Sequence, residues 1–552
     1  MSEPFQPPAL SEPTYAELRR SFGWQLPQRF NLGWASTDAQ PSDRPALIHV
    51  TLRGEPERYT FGDLARLSSR VANALAGLGL EPGDRVAVAL AQGPEAALAH
   101  LGAFKAGMIS VPLSHLFGVD ALRHRLSDSG ARVVVTDTRG LEKLEELPDI
   151  PGPEWVVLAD AEPGPRARTK GFWQLLDTAS DRLAPPQSEP SDPCLLIYTS
   201  GTSGPPKGVL HGHQVLIGQA PGFRLCHEFI PCPGDRMWTP ADWAWIGGLC
   251  NTVLLAWLHG VPVLAAARGK FDPQWALDLM ARHQVRNAFL PTTALRMMLQ
   301  CEIPEGLRLR SMLAGGEAQE PWLFEAARAA FGICFNESYG QTEADFVVGH
   351  CASRWPVRPG SMGRAYPGHE VAIMRPDGAL AASGELGEVV VRTPDPTALL
   401  EYWNRPDATR EKLRDGWLHT GDLARVDEEG YIWFESRADD VIKSAGYRIG
   451  PSEIEECLRG QEAVANAAVV GVPDEVRGHA VKAYVQLKPG FSPSGELEES
   501  LRDHVRRYLA AYQYPRFIEF VDFLPVTDTG KVARHALRDQ ATAPTIAKPA
   551  GD

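Results

Sequence analysis

Between residues 85 and 136, short apolar runs alternate with longer stretches whose apolar residues recur at helical spacing, and this alternation restricts the fold more than any other feature of the chain. Residues 85–90, 109–112 and 133–136 read as strands, and residues 94–105 and 119–128 as helices. Strands separated by a whole helix return in parallel, so the pattern implies βαβ units and a mostly parallel sheet. The same alternation begins with a strand at 46–52 and a helix at 61–78, and it resumes with a strand at 261–265 and a helix at 273–283. Residues 161–193, rich in Pro, Ser, Asp and Arg, read as a long surface connection.

From residue 370 onward the pattern changes to short strands punctuated by Gly and Asp, ending near 431–434, as expected of a smaller β-rich subdomain. The last hundred or so residues read as a self-contained α+β unit, with helices at 452–458 and 495–510 and strands at 467–470, 480–487 and 518–523. The tail at 541–552 has little to bury and is expected to fray.

The chain has 552 residues, enough for two or more domains, and 44% of them are apolar. A formal net charge of −14 argues against a broad nucleic-acid footprint and against docking on an anionic membrane, so anionic ligands need local basic sites. The eight cysteines show no C-x-x-C and no zinc-finger spacing, and they read as reduced thiols. The N-terminal stretch carries prolines and acids in place of a basic and then apolar leader, and no apolar run is long enough to span a membrane; a cytoplasmic protein is expected.

The segment Tyr198-Thr-Ser-Gly-Thr-Ser-Gly-Pro-Pro-Lys-Gly208 carries the most chemistry. Small hydroxyl residues and glycines after an apolar strand expose backbone N–H groups that cradle phosphate oxygens, and Lys207 adds a cation. It is not a Walker A loop, because Pro206 precedes the lysine and Gly208 follows it.

This loop resembles the signature of the adenylate-forming superfamily of acyl-CoA synthetases, firefly-type luciferases and peptide-synthetase adenylation domains. The superfamily's other motifs follow in order: Ala314-Gly-Gly-Glu317, Tyr339-Gly-Gln-Thr-Glu343, Gly360-Ser-Met-Gly363, Thr420-Gly-Asp422, Arg437-Ala-Asp-Asp440, Gly446-Tyr-Arg448 and Gly530-Lys531. The resemblance implies an α/β fold with a large N-terminal domain of doubly wound sheets and a β-rich subdomain (1–436), a hinge (437–440), a small mobile α+β C-terminal domain (441–540) and a tail (541–552).

It also implies roles. Thr199, Ser200, Gly201, Thr202, Ser203, Gly204 and Lys207 would meet the β- and γ-phosphates of ATP, Thr342 the α-phosphate, and Glu343 would hold Mg²⁺. Tyr339 would stack on adenine, with Gly316, Glu317, Ala318, Glu337, Ser338, Gly340 and Gln341 around the base. Asp422 would anchor the ribose and Arg437 would contact ribose or phosphate. Lys531 would bridge the carboxylate and the α-phosphate. Asp439 would be the hinge about which the small domain swings, bringing Gly446, Tyr447 and Arg448 to coenzyme A.

Trp238-Thr-Pro-Ala-Asp-Trp-Ala-Trp-Ile-Gly-Gly248 resembles the acyl-pocket wall of short- and medium-chain relatives, and Phe30-Asn-Leu-Gly-Trp34 also resembles medium-chain ligases. Acetate-specific relatives close the pocket with a tryptophan where this chain has Gly340, and Gly315 replaces a bulkier residue. The resemblance therefore implies a pocket lined by Trp245, Ile246, Gly247, Gly315 and Gly340 that takes an acid larger than acetate, a short-to-medium-chain aliphatic acid or an aryl acid of the benzoate type. No carrier domain follows, so free coenzyme A is the expected acceptor, with loading of a separate carrier protein and assembly into a homo-oligomer left open. One departure is Val526, where many relatives have a basic residue in the lysine loop.

Overall fold

In the computed structural model of the chain, the described residues are 10, 14–51, 55–147, 153–161, 168–199, 205–266, 270–316, 319–438, 440–444, 447–474, 478–509, 513–527 and 531–542. The alternation at 85–136 resolves into an eight-stranded sheet with the order Glu401–Tyr402, Lys207–Gly212, Pro193–Thr199, Ile109–Pro112, Arg85–Ala89, Val133–Thr136, Trp155–Leu158 and Thr169–Gly171. Pairing is parallel from Pro193–Thr199 onward; Lys207–Gly212 returns antiparallel on it, with Thr199 opposite Lys207. The helix Phe61–Gly77 starts at a reciprocal cap, in which the Thr60 hydroxyl accepts from the Asp63 N–H and the Asp63 carboxylate accepts from the Thr60 N–H.

A second, nine-stranded sheet has the order Arg364–Ala365, Ala344–Gly349, Asn336–Gln341, Ser311–Gly315, Asn287–Pro291, Met237–Trp238, Val263–Ala265, Pro45–His49 and Glu57–Thr60. It is parallel in the middle and antiparallel at both ends. Ala288, Leu290, Met312 and Ala314 point to one face, where they join a core with Leu277, Met280 and Leu323. Odd-numbered neighbours on the same strands point to the other face.

The stretch at 161–193 is more than a connection. It contains the strand Thr169–Gly171 and the helix Phe172–Thr178, whose Phe172 and Leu176 are buried. These apolar anchors are too few to stand out against the surrounding Pro and Ser, and the edge of a sheet recruits them.

The chain divides by contacts into two units. One holds the chain through Thr199, Pro206–Val371 and Val390–His419; the other holds Ala372–Val389 and the chain from Thr420. In the second, Ile432–Arg437 pairs with the strand Trp417–Val426 so that Asp422 lies opposite Arg437. Its terminal sheet runs Tyr447–Ile449, Ile442–Ser444, Gly478–Leu487, Val464–Asp474, with Phe517–Phe520 also on Gly478–Leu487. Alternation of period two decides its layers: Ala467, Val469, Val481 and Val485 pack with Leu458, Leu501 and Val505, while Ala468, Val470, Ala480 and Tyr484 pack with Leu524 and Leu537. Among the described residues no helix is long and apolar enough to cross a membrane.

Candidate active site

In the larger unit the ends of two sheets carry the candidate chemistry. Thr199 closes its strand and Lys207 opens the next, facing it in register; Ser200, Gly201, Thr202, Ser203 and Gly204 lie outside the described residues. The Lys207 ammonium sits 5.2 Å from the centroid of the Tyr402 ring. The Tyr402 hydroxyl in turn donates to Glu343 Oε1 at 2.5 Å. A single tyrosine therefore links the lysine of the phosphate loop to the acid of the Gln-Thr-Glu motif, through its π face and its hydroxyl.

Backbone bonds lock that arrangement. Tyr402 lies in the short strand Glu401–Tyr402, paired with Val209. Trp403 N–H donates to Gly208 O at 2.8 Å, and Leu399 N–H donates to Glu343 O at 2.8 Å. His211 Nε2–H donates to the Thr342 carbonyl at 2.7 Å. Burial pushes the His211 imidazole down to about 4, so it is neutral at physiological pH and acts as a fixed donor. Lys412 Nζ donates to Gln341 Oε1 at 3.0 Å.

Around the base-pocket motif, Tyr339 is half-buried opposite Val348 and Ser338 Oγ donates to Val348 O at 3.2 Å. Glu337 is buried, and desolvation raises its carboxyl well above the ordinary range even though the Gln319 N–H donates to it. Gly316 has φ +100, and a Cβ there would meet nothing within 4 Å, so the left-handed backbone, not crowding, demands glycine. Glu317 and Ala318 fall outside the described residues.

Of the expected acyl-pocket residues, Gly247 and Gly315 both lie beside Phe289. Trp245 is half-buried and meets Phe117 edge-on at 5.9 Å. Ile246–Gly248 leads into a π-helical turn at Leu249–Leu254, a geometry common beside functional sites. A Cβ on Gly247 would lie 2.9 Å from Phe289 Cε1, and one on Gly315 would lie 4.0 Å from Phe289 Cε2. A Cβ on Gly340 would come within 2.5 Å of Asp345 Cα and 2.8 Å of Phe346 N, so a side chain there would require that backbone to move. Asp345 is itself held by Asn251 Nδ2 at 2.8 Å and by Thr397.

In the smaller unit, Asp422 is buried and its Oδ1 accepts from Arg437 Nη1 at 2.9 Å, while Arg437 Nη1 also donates to Thr420 O at 3.1 Å. Lys531 is exposed; its N–H donates to Thr527 Oγ1 at 3.2 Å and its carbonyl accepts from Thr527 N–H at 2.6 Å. Asp439 and Gly446 lie outside the described residues, and the backbones of Tyr447 and Arg448 pair with Ser444 and Lys443. Asp440 accepts from Arg534 at 3.3 Å and Arg538 at 3.0 Å, and Arg534 also meets Glu455 at 2.6 Å.

Tyr402, His211, Phe289 and Lys412 adjoin residues named from the sequence but were not themselves named. Tyr402 and Trp403 form an aromatic pair without chemical spacing, and Phe289 reads as an ordinary core strand residue; only pairing across the sheets brings them in. Among the described residues no group of three His, Cys, Asp or Glu side chains is arranged to ligate a metal alone.

The AMP-binding enzyme family matches residues 34–403, and the AMP-binding enzyme C-terminal domain matches residues 453–531. Over 540 residues the chain is 33% identical to acyl-coenzyme A synthetase ACSM4, mitochondrial, of Rattus norvegicus, covering 93% of this chain and 91% of that protein. It is 34% identical over 505 residues to the acetyl-coenzyme A synthetase of Bacillus subtilis, covering 90% and 86%. Among solved structures, the anthranilate CoA ligase AuaEII in complex with anthranoyl-AMP superposes with a TM-score of 0.83 at 28% identity over 94% of this chain and 98% of that one. A benzoate CoA ligase from Burkholderia xenovorans gives 0.80 at 26% identity over 92% and 100%.

Proposed function

The chain belongs to the AMP-binding enzyme family, and from that premise we propose how its residues divide the work of an ATP-dependent, AMP-forming acid–CoA ligase. A carboxylate oxygen attacks the α-phosphorus, the bond to the β-phosphate breaks and diphosphate leaves. The thiol of coenzyme A then displaces AMP from the acyl carbon, leaving the thioester. No covalent enzyme nucleophile is needed, so positioning and charge neutralisation carry the rate.

The observation that carries this reading is the Lys207–Tyr402–Glu343 link, which spaces a cation and a carboxylate across one aromatic ring. Lys207 with the hydroxyls and N–H groups of residues 199–204 takes the β- and γ-phosphates. Thr342, its carbonyl pinned by His211, takes the α-phosphate. Glu343 offers carboxylate oxygens of the hard type Mg²⁺ accepts beside phosphate oxygens, so Mg²⁺ fits there, and when bound with ATP it supplies neutralisation of phosphate charge. Tyr339 and Glu337 hold adenine, with Ser338, Gly340, Gln341 and Gly316 shaping the pocket. Asp422, oriented by Arg437, accepts the ribose hydroxyls. Lys531 lowers the repulsion between the incoming carboxylate and the α-phosphate. Hinge motion at Asp439 and a coenzyme A face at Gly446, Tyr447 and Arg448 complete the cycle.

The acid we favour is short-to-medium-chain aliphatic. The likeness to the anthranilate and benzoate CoA ligases favours an aryl acid as the second reading. The test supplies MgATP and acids from acetate to decanoate plus benzoates, with and without coenzyme A, and follows diphosphate and AMP. Catalytic AMP release that needs coenzyme A and prefers an acid larger than acetate supports the proposal. A single stoichiometric burst of diphosphate, unchanged by coenzyme A, overturns the acceptor, and no diphosphate with any acid overturns the reaction.

A further inference from the structure

Phe289 stands out on its strand. Asn287–Pro291 is an interior strand of the nine-stranded sheet, flanked by Met237–Trp238 and Ser311–Gly315. Ala288 and Leu290 are fully buried on one face, as interior strand residues should be. Phe289 points to the other face and is only half-buried, although a phenylalanine in an interior strand gains most from complete burial. Its ring is therefore not fully covered on that face. Phe289 lies two residues before the C-terminal end of its strand, and open α/β sheets bind ligands at the C-terminal ends of parallel strands.

The neighbours of the ring are the glycines that mark the expected acyl pocket. One ring edge, at Cε1, occupies the position a Gly247 side chain would need, with a Cβ there at 2.9 Å; the opposite edge, at Cε2, faces Gly315, with a Cβ there at 4.0 Å. A Gly315 Cβ would also lie 3.3 Å from Ser338 O, within the base-pocket strand. The ring thus takes up volume that a side chain at 247 would need, and stands at ordinary contact distance from one at 315. Meanwhile the backbone of Asp345 and Phe346 fills the space beside Gly340. Phe289 is the side chain that a Cβ at Gly247 would meet and that also lies within 4.0 Å of one at Gly315, and its bulk can be removed without moving backbone.

We propose that Phe289 is the specificity-determining side chain of the acyl pocket, its ring limiting how long or wide an acid the ligase accepts. This role rests on the acyl-pocket reading given above. Removing the ring lets longer acids reach the reacting position, and adding a methyl group at Gly247 drives the ring further into the space left for the acid. One methylene in an apolar pocket shifts selectivity by roughly 10–200-fold, so a removed phenyl ring should change the ratio of kcat/KM for long and short acids by at least ~10-fold.

The test compares wild type, Phe289→Ala, Phe289→Leu, Gly247→Ala and the double variant Gly247→Ala/Phe289→Ala on acids from butyrate to decanoate and on benzoate, with thermal melts of each. Isothermal titration of the same acids in the presence of AMP reads selectivity without turnover. The expected result is a preference moved to longer acids in Phe289→Ala, a smaller move in Phe289→Leu, and a move to shorter acids in Gly247→Ala. The double variant should lose the Gly247→Ala effect, because the clash needs the ring. A folded Phe289→Ala or Phe289→Leu enzyme that loses kcat/KM by the same factor on every acid overturns the assignment and leaves the ligase reading intact. A wild type that neither binds nor turns over any acid overturns both.

Discussion

Replacing Tyr402 by phenylalanine removes one oxygen from the candidate site and leaves the ring under Lys207 and the strand pairing with Val209 in place. What is lost is the 2.5 Å hydrogen bond to Glu343 Oε1. Hydrogen bonds to charged groups contribute about 1.5–3 kcal/mol. Because Glu343 is half-exposed, solvent can replace part of that, and about 1–2 kcal/mol is the expected loss. At about 1.4 kcal/mol per factor of ten, this corresponds to roughly 5–30-fold in kcat/KM for ATP. The assay is initial-rate diphosphate release across a range of ATP and Mg²⁺ concentrations, with the melting temperature measured in parallel. The Mg²⁺ concentration for half-maximal rate should rise, since the carboxylate is no longer held in one orientation. A Tyr402→Phe enzyme with wild-type kcat/KM and unchanged Mg²⁺ response would show that Tyr402 merely packs and does not orient Glu343.

Two further predictions concern pH and buried charge. Burial pushes His100, His213 and His227 down to about 3 and His211, His259 and His350 down to about 4. Unfolded, these groups titrate near ~6.5, so below that pH the unfolded chain binds protons the native chain does not; their stability is complete above ~6.5 and is lost as pH falls toward 4 and then 3, by about 1 kcal/mol per histidine at pH ~5.5. Denaturant midpoints unchanged between about pH 7.5 and 5.5 would contradict this. Glu337 has the opposite sign: its raised carboxyl keeps a proton in the native state that the unfolded chain has released, so stability falls as pH rises above the ordinary carboxylate range. Glu337→Gln, which mimics the protonated acid, should therefore stabilise the protein, with a gain that grows by about 1.4 kcal/mol per pH unit until the native carboxyl ionises and that vanishes in acid; a gain independent of pH would refute the assignment.

Parallel sheets and the order of the chemistry-bearing segments were legible in the sequence because each rests on local information. Hydrophobic period separates a strand such as Val133–Thr136 from a helix such as Pro94–Lys105, and the phosphate loop is recognisable because glycine and hydroxyl residues expose backbone N–H groups wherever they sit. Lys207, Thr342, Glu343 and Asp422 could therefore be named through the family resemblance that these motifs carry. What links them could not. Tyr402 reaches Glu343 only because Glu401–Tyr402 adds to the edge of the strand that Lys207 begins, a pairing across nearly two hundred residues that no periodicity encodes. Gly340 shows the converse: from the sequence a glycine reads as empty space, whereas tertiary structure brings the backbone of Asp345 and Phe346 against it. Phe289 belongs to the same class, since a strand's alternation says that it points away from Leu290, but whether that face meets core or cleft is decided by which distant glycines pack beside it. Local motifs thus carried the resemblance that gave the reaction class, while the contacts that surround Gly247, Gly315 and Gly340 are non-local and were decided only by the folded sheets.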